Sequence, residues 1–351
     1  MVRVQRCRIL LATLAAILLL AVTGAQAQTA ATSDDFYKGK TVRIIVTTAA
    51  GGGYDLITRA VARTLPKYVS GSPTVIVENM PGAGSVNGTN YIYNVAAKDG
   101  TVIGQIGNQI PFAPLIHVPQ TQFDPLKFQW LGSPSSDIGI LIVWHGASVE
   151  TIADAKSRDV LMATSGGGST STFYARVLNS ALGTRLKILT GYNGTNDAYL
   201  AMERGEVDGF PSVFWSSLKA TKPDWIRDKK IKLLVKYGSR GTDPELATVP
   251  FADDLATTPD DKLLLEMATA PLNLGQPYIM PPGVPAAHVQ TMRNAFMGVF
   301  EDNGFRNDAR KLGFEVDAPK TGAQLEDIVR QAYGAPQKVI DRLVALSGGS
   351  N

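Results

Sequence analysis

The spacing of apolar residues changes period several times along the chain. The β-branched runs TVRIIV (Thr41–Val46), TVIVEN (Thr74–Asn79) and TVIGQI (Thr101–Ile106) predict three strands. Between the first two, Leu56, Ile57, Ala60, Val61 and Leu65 share one face of a helix. MPGAGSVNG then leads the second strand into a helix that runs through Ala97. This βαβαβ order predicts a mostly parallel sheet with helices on its faces. The order then restarts. DVLMAT (Asp159–Thr164) predicts a strand, and Tyr174, Val177, Leu178, Ala181 and Leu182 mark a helix face. LKILT is the next strand, GYNGTND a loop, and Ala198–Arg204 a helix.

GILIVWHG (Gly139–Gly146) joins the two patterns, and PLNLGQPYIMPPGVP (Pro271–Pro285) makes a second connection. Helical patterns follow at Ala286–Phe300 and Gln324–Leu346, the latter broken at Gly334-Ala335-Pro336. This tail is expected to return to the first lobe. The predicted class is therefore α/β, with two lobes, each a mostly parallel sheet flanked by helices, and two crossing strands as a hinge. Residues 28–138 and 271–351 would form lobe 1, and 139–270 lobe 2.

The first 27 residues read as a removable export leader. Arg3, Arg6 and Arg8 precede an apolar stretch from Ile9 to Val22, and Ala25-Gln26-Ala27 is a cleavage signal, with cleavage after Ala27. The stretch is short for a membrane span, and a retained anchor is the alternative. Removing 27 of 351 residues leaves 324, long enough for two domains. The leader takes the one cysteine, Cys7, so the remainder has neither thiol chemistry nor disulfides. It also takes three of the 34 basic residues, leaving 31 against 31 acidic ones. That balance offers no footprint for nucleic acid or an anionic membrane.

A glycine triplet follows a strand and precedes a helix in each half, at Gly51-Gly52-Gly53 and Gly166-Gly167-Gly168, 115 positions apart. Such turns sit at the carboxyl edge of a parallel sheet, where open α/β folds bind ligands. The next helix presents unpaired N–H groups and a positive dipole end, and glycine lets an anion approach them. Ser169, Thr170 and Ser171 add hydroxyl donors at the second turn. The plainer reading makes both stretches tight turns and helix caps, with Asp55 a first-turn acid paired with Arg59.

Three enzyme readings compete and each fails on spacing. GAGSVNG (Gly82–Gly88) has the wrong glycine spacing for a dinucleotide turn, and Pro81 interrupts it. Ser216-Ser217-Leu218-Lys219 and Lys320-Thr321-Gly322 match two motifs of penicillin-recognising serine hydrolases. Their third element is out of order, since Ser136-Asp137 comes first and lacks the Asn, and Thr321 reads better as a helix cap. His117, His145 and His288 are far apart in the chain, with no G-x-S-x-G and no metal-ligand spacing. No enzyme activity, cofactor or metal is expected.

FYKGKTVRIIV, GGGYD, VIVENMPGAGS, AAKDGTVIG, TSGGGSTS, GYNGTNDAYLAMERGEVDG and PPGVP occur in an order that resembles the tripartite tricarboxylate transporter substrate-binding receptors, or Bug proteins. The resemblance runs from about Phe36 to Ala345. It implies a periplasmic, two-lobed Venus-flytrap protein, type II-like and acting as a monomer. Such a protein delivers a small organic anion, often a carboxylate, to a membrane permease. A ligand sensor that docks a signalling partner would use the same binding chemistry. The resemblance also implies a carboxylate held between the two glycine turns by backbone N–H groups, hydroxyls and water rather than by a salt bridge. Carried over position by position, the first turn is Ala50, Gly51, Gly52, Gly53, Tyr54 and Asp55, with Asn108 and Gln109 in a polar loop after the third strand. The second-lobe site is Ser165, Gly167, Gly168, Ser169, Thr170 and Ser171, with Tyr192, Asn193, Thr195 and Phe210 nearby. TTAA before the first glycines and Tyr54 after them depart from the family pattern. Tyr54, Tyr192, Phe210 and Trp215 would line the cleft and favour an aromatic or larger acid, unless Phe210 and Trp215 belong to the core.

Overall fold

The computed structural model describes residues 36–164, 169–192, 195–240, 243–316 and 318–348. Two mixed sheets organise them. The first contains β1 (Thr41–Val46), β2 (Thr74–Asn79), β3 (Val102–Gln105), β4 (Gln129–Ser133), β10 (Tyr278–Met280) and β11 (Lys320–Thr321), in the order β11-β4-β10-β3-β1-β2. The second contains β5 (Ile138–Trp144), β6 (Val160–Thr164), β7 (Leu186–Thr190), β8 (Gly209–Phe214) and β9 (Ile231–Gly238), in the order β7-β6-β8-β5-β9. The principal helices are α1 (Gly53–Thr64), α2 (Val86–Asn94), α3 (Thr170–Leu182), α4 (Thr195–Glu203), α5 (Trp215–Thr221), α6 (Pro259–Leu274), α7 (Ala286–Glu301), α8 (Asn303–Lys311), α9 (Gly322–Tyr333) and α10 (Gln337–Ser347).

The parallel part of each sheet is the βαβ rhythm read from the sequence. β2-β1-β3 and β7-β6-β8 pair in parallel, as strands returned by crossover helices must. The remaining pairs are antiparallel, four of them because β5 and β10 enter their sheets directly from the other half of the molecule, the fifth being β11 on β4. Val42, Ile44, Ile45 and Val46 of β1 are fully buried, so helices cover both faces of that strand. On one side, Ile57, Ala60 and Val61 of α1 pack with Met292, Phe296 and Val299 of α7. Each of these side chains except Ala60 contributes about 1.5–3 kcal/mol on burial. In the second half, the five α3 residues expected on one face are all buried.

The chain passes between the sheets at residues 134–137 and 275–277, segments that lie outside the strands. These two passages touch. Gln276 N–H donates to Ser133 Oγ at 2.9 Å, Ser133 Oγ to the Ser135 carbonyl at 2.8 Å, and Asp137 N–H to the Leu272 carbonyl at 3.1 Å. Gly275 has φ +60°, and a Cβ there would sit 1.7 Å from the Ser135 carbonyl oxygen, so only glycine lets the passages meet. A third passage follows at Gly334–Pro336. Leu325 and Val329 of α9 belong to the first core, whereas Val339, Ile340 and Leu343 of α10 join the second. The tail therefore does not return wholly to the first half, and Pro271, read as connector, is helical within α6. No helix among the described residues is long and apolar enough to cross a membrane.

Candidate functional site

The first glycine turn is closed on itself. Gly52 caps α1, and Gly51, with φ +79°, aims its N–H at Asp55 Oδ2, 2.8 Å away. Arg59 Nε donates to the same oxygen at 3.0 Å, and Asn79 Nδ2 donates to Oδ1 at 3.0 Å. The Asp55 side chain is buried. Burial alone would raise its pKa, but Arg59, the Gly51 N–H and Asn79 together hold it below the ordinary carboxylate value. Asp55 is thus committed to contacts within the protein, with the Gly51 N–H before the N-cap of α1 and with Arg59 and Asn79. Ala50, Gly51 and Gly52 are exposed and off the cleft wall, while Gly53 and Tyr54 line it. The Tyr54 hydroxyl accepts from the Asn108 N–H at 3.3 Å and donates to the Gly275 carbonyl at 3.5 Å. Burial pushes its pKa up to about 12, with the Asn108 N–H pulling the other way, so Tyr54 stays neutral.

At the second site the described residues resume at the start of α3. Ser165, Gly167, Gly168 and Asn193 lie outside the described residues. Ser169 caps α3 by accepting from the Thr172 N–H at 3.3 Å, and its hydroxyl is bonded to those of Ser171 and Thr172 at 3.0 and 3.1 Å. No acidic residue occupies the first turn of α3. In front of it lies a cavity of about 430 Å³ that Thr170, Thr195, Ser212 and Ser217 also line, with no charged side chain among the described residues of its wall. Thr195 opens α4, so two helix N-termini meet at this cavity. α4 carries its own first-turn acid, Asp197, which leaves α3 the stronger positive end. The Ser212 hydroxyl oxygen is buried and makes no hydrogen bond of normal geometry; the Tyr237 hydroxyl nearby donates to the Pro211 carbonyl at 2.8 Å. Phe210 forms an apolar side of the cavity, its ring 6.2 Å from Tyr199. Tyr192 packs against the core of the second half and lines no cavity described here.

Phe214 and Ser217 connect this cavity to a larger cleft of about 580 Å³ between the sheets. Gly53, Tyr54 and Asn108 face it from one side, Trp215 and Lys219 from the other, and Ser135 and Gln276 of the passages floor it. The Gln276 Oε1 is buried without a partner. Lys219 Nζ donates to Asp243 Oδ2 at 2.9 Å and reaches Glu315 Oε2 at 3.5 Å. Trp215 Nε1 donates to the same Asp243 oxygen at 2.6 Å, and Trp215 is 3% exposed. Trp215 and Phe210 are therefore core residues with an edge on the cavities. Gln109 faces a separate 180 Å³ cavity, mostly apolar, that also touches Ser169 and Thr170.

The hydrolase motifs dissolve into structural contacts. The Ser216 hydroxyl donates to Asp137 at 2.6 Å rather than meeting Lys219. Thr321 ends the short β11 and forms a capping box with Gln324 at the start of α9. The sequence reading missed Asp243, Glu315 and Gln276. Asp243 and Glu315 carry no motif, and Gln276 lies in what looked like a plain connector.

The sequence model of the tripartite tricarboxylate transporter family receptor matches residues 57–343. A UPF0065 protein of Agrobacterium vitis is 30% identical over 188 residues, 51% of this chain, which spans about half of that relative's length, 52%. A UPF0065 protein of Cupriavidus necator is 25% identical over 305 residues, covering 84% of this chain and 85% of its own. Among solved structures, a TctC solute-binding protein from Polaromonas superposes with TM-score 0.69 at 18% identity, covering 88% of this chain and 98% of its own. MatC of Rhodopseudomonas palustris, solved with bound malate, gives 0.53 at 21%, covering 88% and 99%. At these identities the structural likeness establishes the fold.

Proposed function

The chain belongs to the tripartite tricarboxylate transporter receptor family, and we propose that it captures a small organic acid between its two lobes, outside the cytoplasm, for delivery to a membrane permease. Lobe 1 is residues 36–137 with most of 271–336; lobe 2 is 138–270 joined by α10. One carboxylate of the ligand sits at the N-terminus of α3, against Ser169, Thr170 and Ser171. The observation that carries this reading is the hydroxyl-lined, charge-free cavity at two helix N-termini. Closure about the contact of residues 134–137 with 275–277 dries the cleft, and fixed dipoles act more strongly there. No bond is made or broken, and the receptor works as a monomer. Residues 1–27, which lie outside the described residues, would direct export and be removed after Ala27.

The test is thermal unfolding of the purified receptor, stripped of bound ligand by partial unfolding and refolding, against aliphatic and aromatic acids and their amides. A rise in Tm with an acid and none with its amide is the expected result. Equal shifts for acid and amide, or stabilisation by neutral sugars alone, would remove the anion reading.

A further inference from the structure

We propose that Lys219 is the cation that receives a second acidic group of the ligand, and that Glu315 holds its place while the cleft is empty. This rests on the cleft being the ligand site.

Among the described residues, Lys219 is the one basic residue on the wall of the larger cleft. Its two partners differ. Asp243 is fixed within the second lobe: one carboxylate oxygen takes Trp215 and Lys219, and the other accepts the Glu245 N–H at 2.9 Å. Its side chain is 17% exposed. Glu315 comes from the first lobe, 96 positions along the chain, and its side chain is 58% exposed. Its contact with Lys219, at 3.5 Å, is the long one of the two. An exposed pair of that kind contributes little and exchanges readily.

Replacing Glu315 by a ligand carboxylate conserves the charge of the cluster, one lysine against two carboxylates. Simple addition would instead place a third carboxylate beside Asp243 and Glu315. The exchange also has a mechanical path. Phe314, next to Glu315, lies against the first glycine turn, where a Cβ on Gly53 would be 3.2 Å from its ring. The segment carrying Glu315 thus spans the cleft mouth from the closed turn to Lys219. The open cavity at α3 takes one carboxylate and Lys219 the other, so the ligand class is a dianion. On closure the pair with Lys219 is drier and stronger than the exposed one it replaces.

The experiment is calorimetric titration of the full receptor with straight-chain dicarboxylates from succinate to adipate, each beside its matched monocarboxylate and ω-amino acid. Lys219→Met and Glu315→Gln are compared with the native chain. Lys219→Met is expected to weaken the best dicarboxylate about tenfold and its monocarboxylate hardly at all. Glu315→Gln, on an exposed side chain that folding does not need, is expected to tighten the dicarboxylate by about threefold. The opposite signs separate this role from general destabilisation. Equal response of mono- and dicarboxylates to both variants overturns the Lys219 assignment alone. So does tighter binding of the ω-amino acid, which would mark that half of the cleft as a cation site. Binding of none of these acids overturns the carboxylate reading and this assignment with it.

Discussion

The two glycine triplets share their glycines and little else in sequence, and the helices after them differ in their first turns. The first carries Asp55 in its helix, and that acid folds back onto the Gly51 N–H, Arg59 and Asn79. The second precedes a helix with hydroxyls and no acid in its first turn, and Ser169 and Thr170 at the start of that helix line a cavity with no charged side chain among the described residues. A helix N-terminus attracts an anion in both cases. In the proposed reading, the acid in the first turn of α1 disfavours a ligand anion there, and its absence from α3 leaves that end for the carboxylate. A glycine-rich turn is therefore a permission for binding, and the first-turn residues settle its use.

Breaking the closed turn should have the largest effect. Asp55→Ala leaves Arg59 and the Gly51 N–H without their acceptor, and is expected to cost about 2 kcal/mol, below the usual loss for a fully buried pair because Arg59 is partly exposed. Urea unfolding would measure it, and a loss under about 0.5 kcal/mol would show that the turn does not depend on its acid. Removing the cap of α3 comes next. Ser169→Ala should cost about 1 kcal/mol of stability and weaken the ligand as well, where Asp55→Ala acts on folding first. Tyr54→Phe removes the hydroxyl that bridges Asn108 and Gly275, both long bonds, and should cost about 0.5–1 kcal/mol.

The smallest expected effect is acid sensitivity. The folded pKa of Asp55 lies below its unfolded value near 3.9, so its contribution is complete above that pH and is lost as pH falls through the folded value. Between neutral pH and about 5, stability measured against Asp55→Asn should differ by a constant amount, and the gap should narrow only below about 4. A gap that narrowed near neutrality would mean Asp55 is not held as described.

Much of this was legible in the sequence where neighbours decide the outcome. TVRIIV, TVIVEN and LKILT are strands with the bounds read from their β-branched runs. The Asp55–Arg59 pair and the Thr321 cap are contacts within one helical turn, and both are present. What spacing could not reach were contacts between distant segments. Tyr54 meets Gly275 across 221 positions, and no periodicity encodes that. The amphipathic pattern of α10 says that one face is buried but not against which core. α8 buries only Phe305 and Ala309, too few apolar positions to mark a helix. Trp215 looked like a cleft aromatic, and its indole N–H is committed to an aspartate that carries no motif.

The difference between the turns can be erased at one residue. Thr170→Asp would give α3 the first-turn acid that α1 already has. Titration with the tightest acid from the thermal panel, alongside urea unfolding, is the direct test. The expected result is a loss of affinity of tenfold or more, about 1.4 kcal/mol, with stability unchanged or slightly raised by the helix dipole. Undiminished affinity in a folded Thr170→Asp receptor would contradict the account and place the carboxylate away from the second turn.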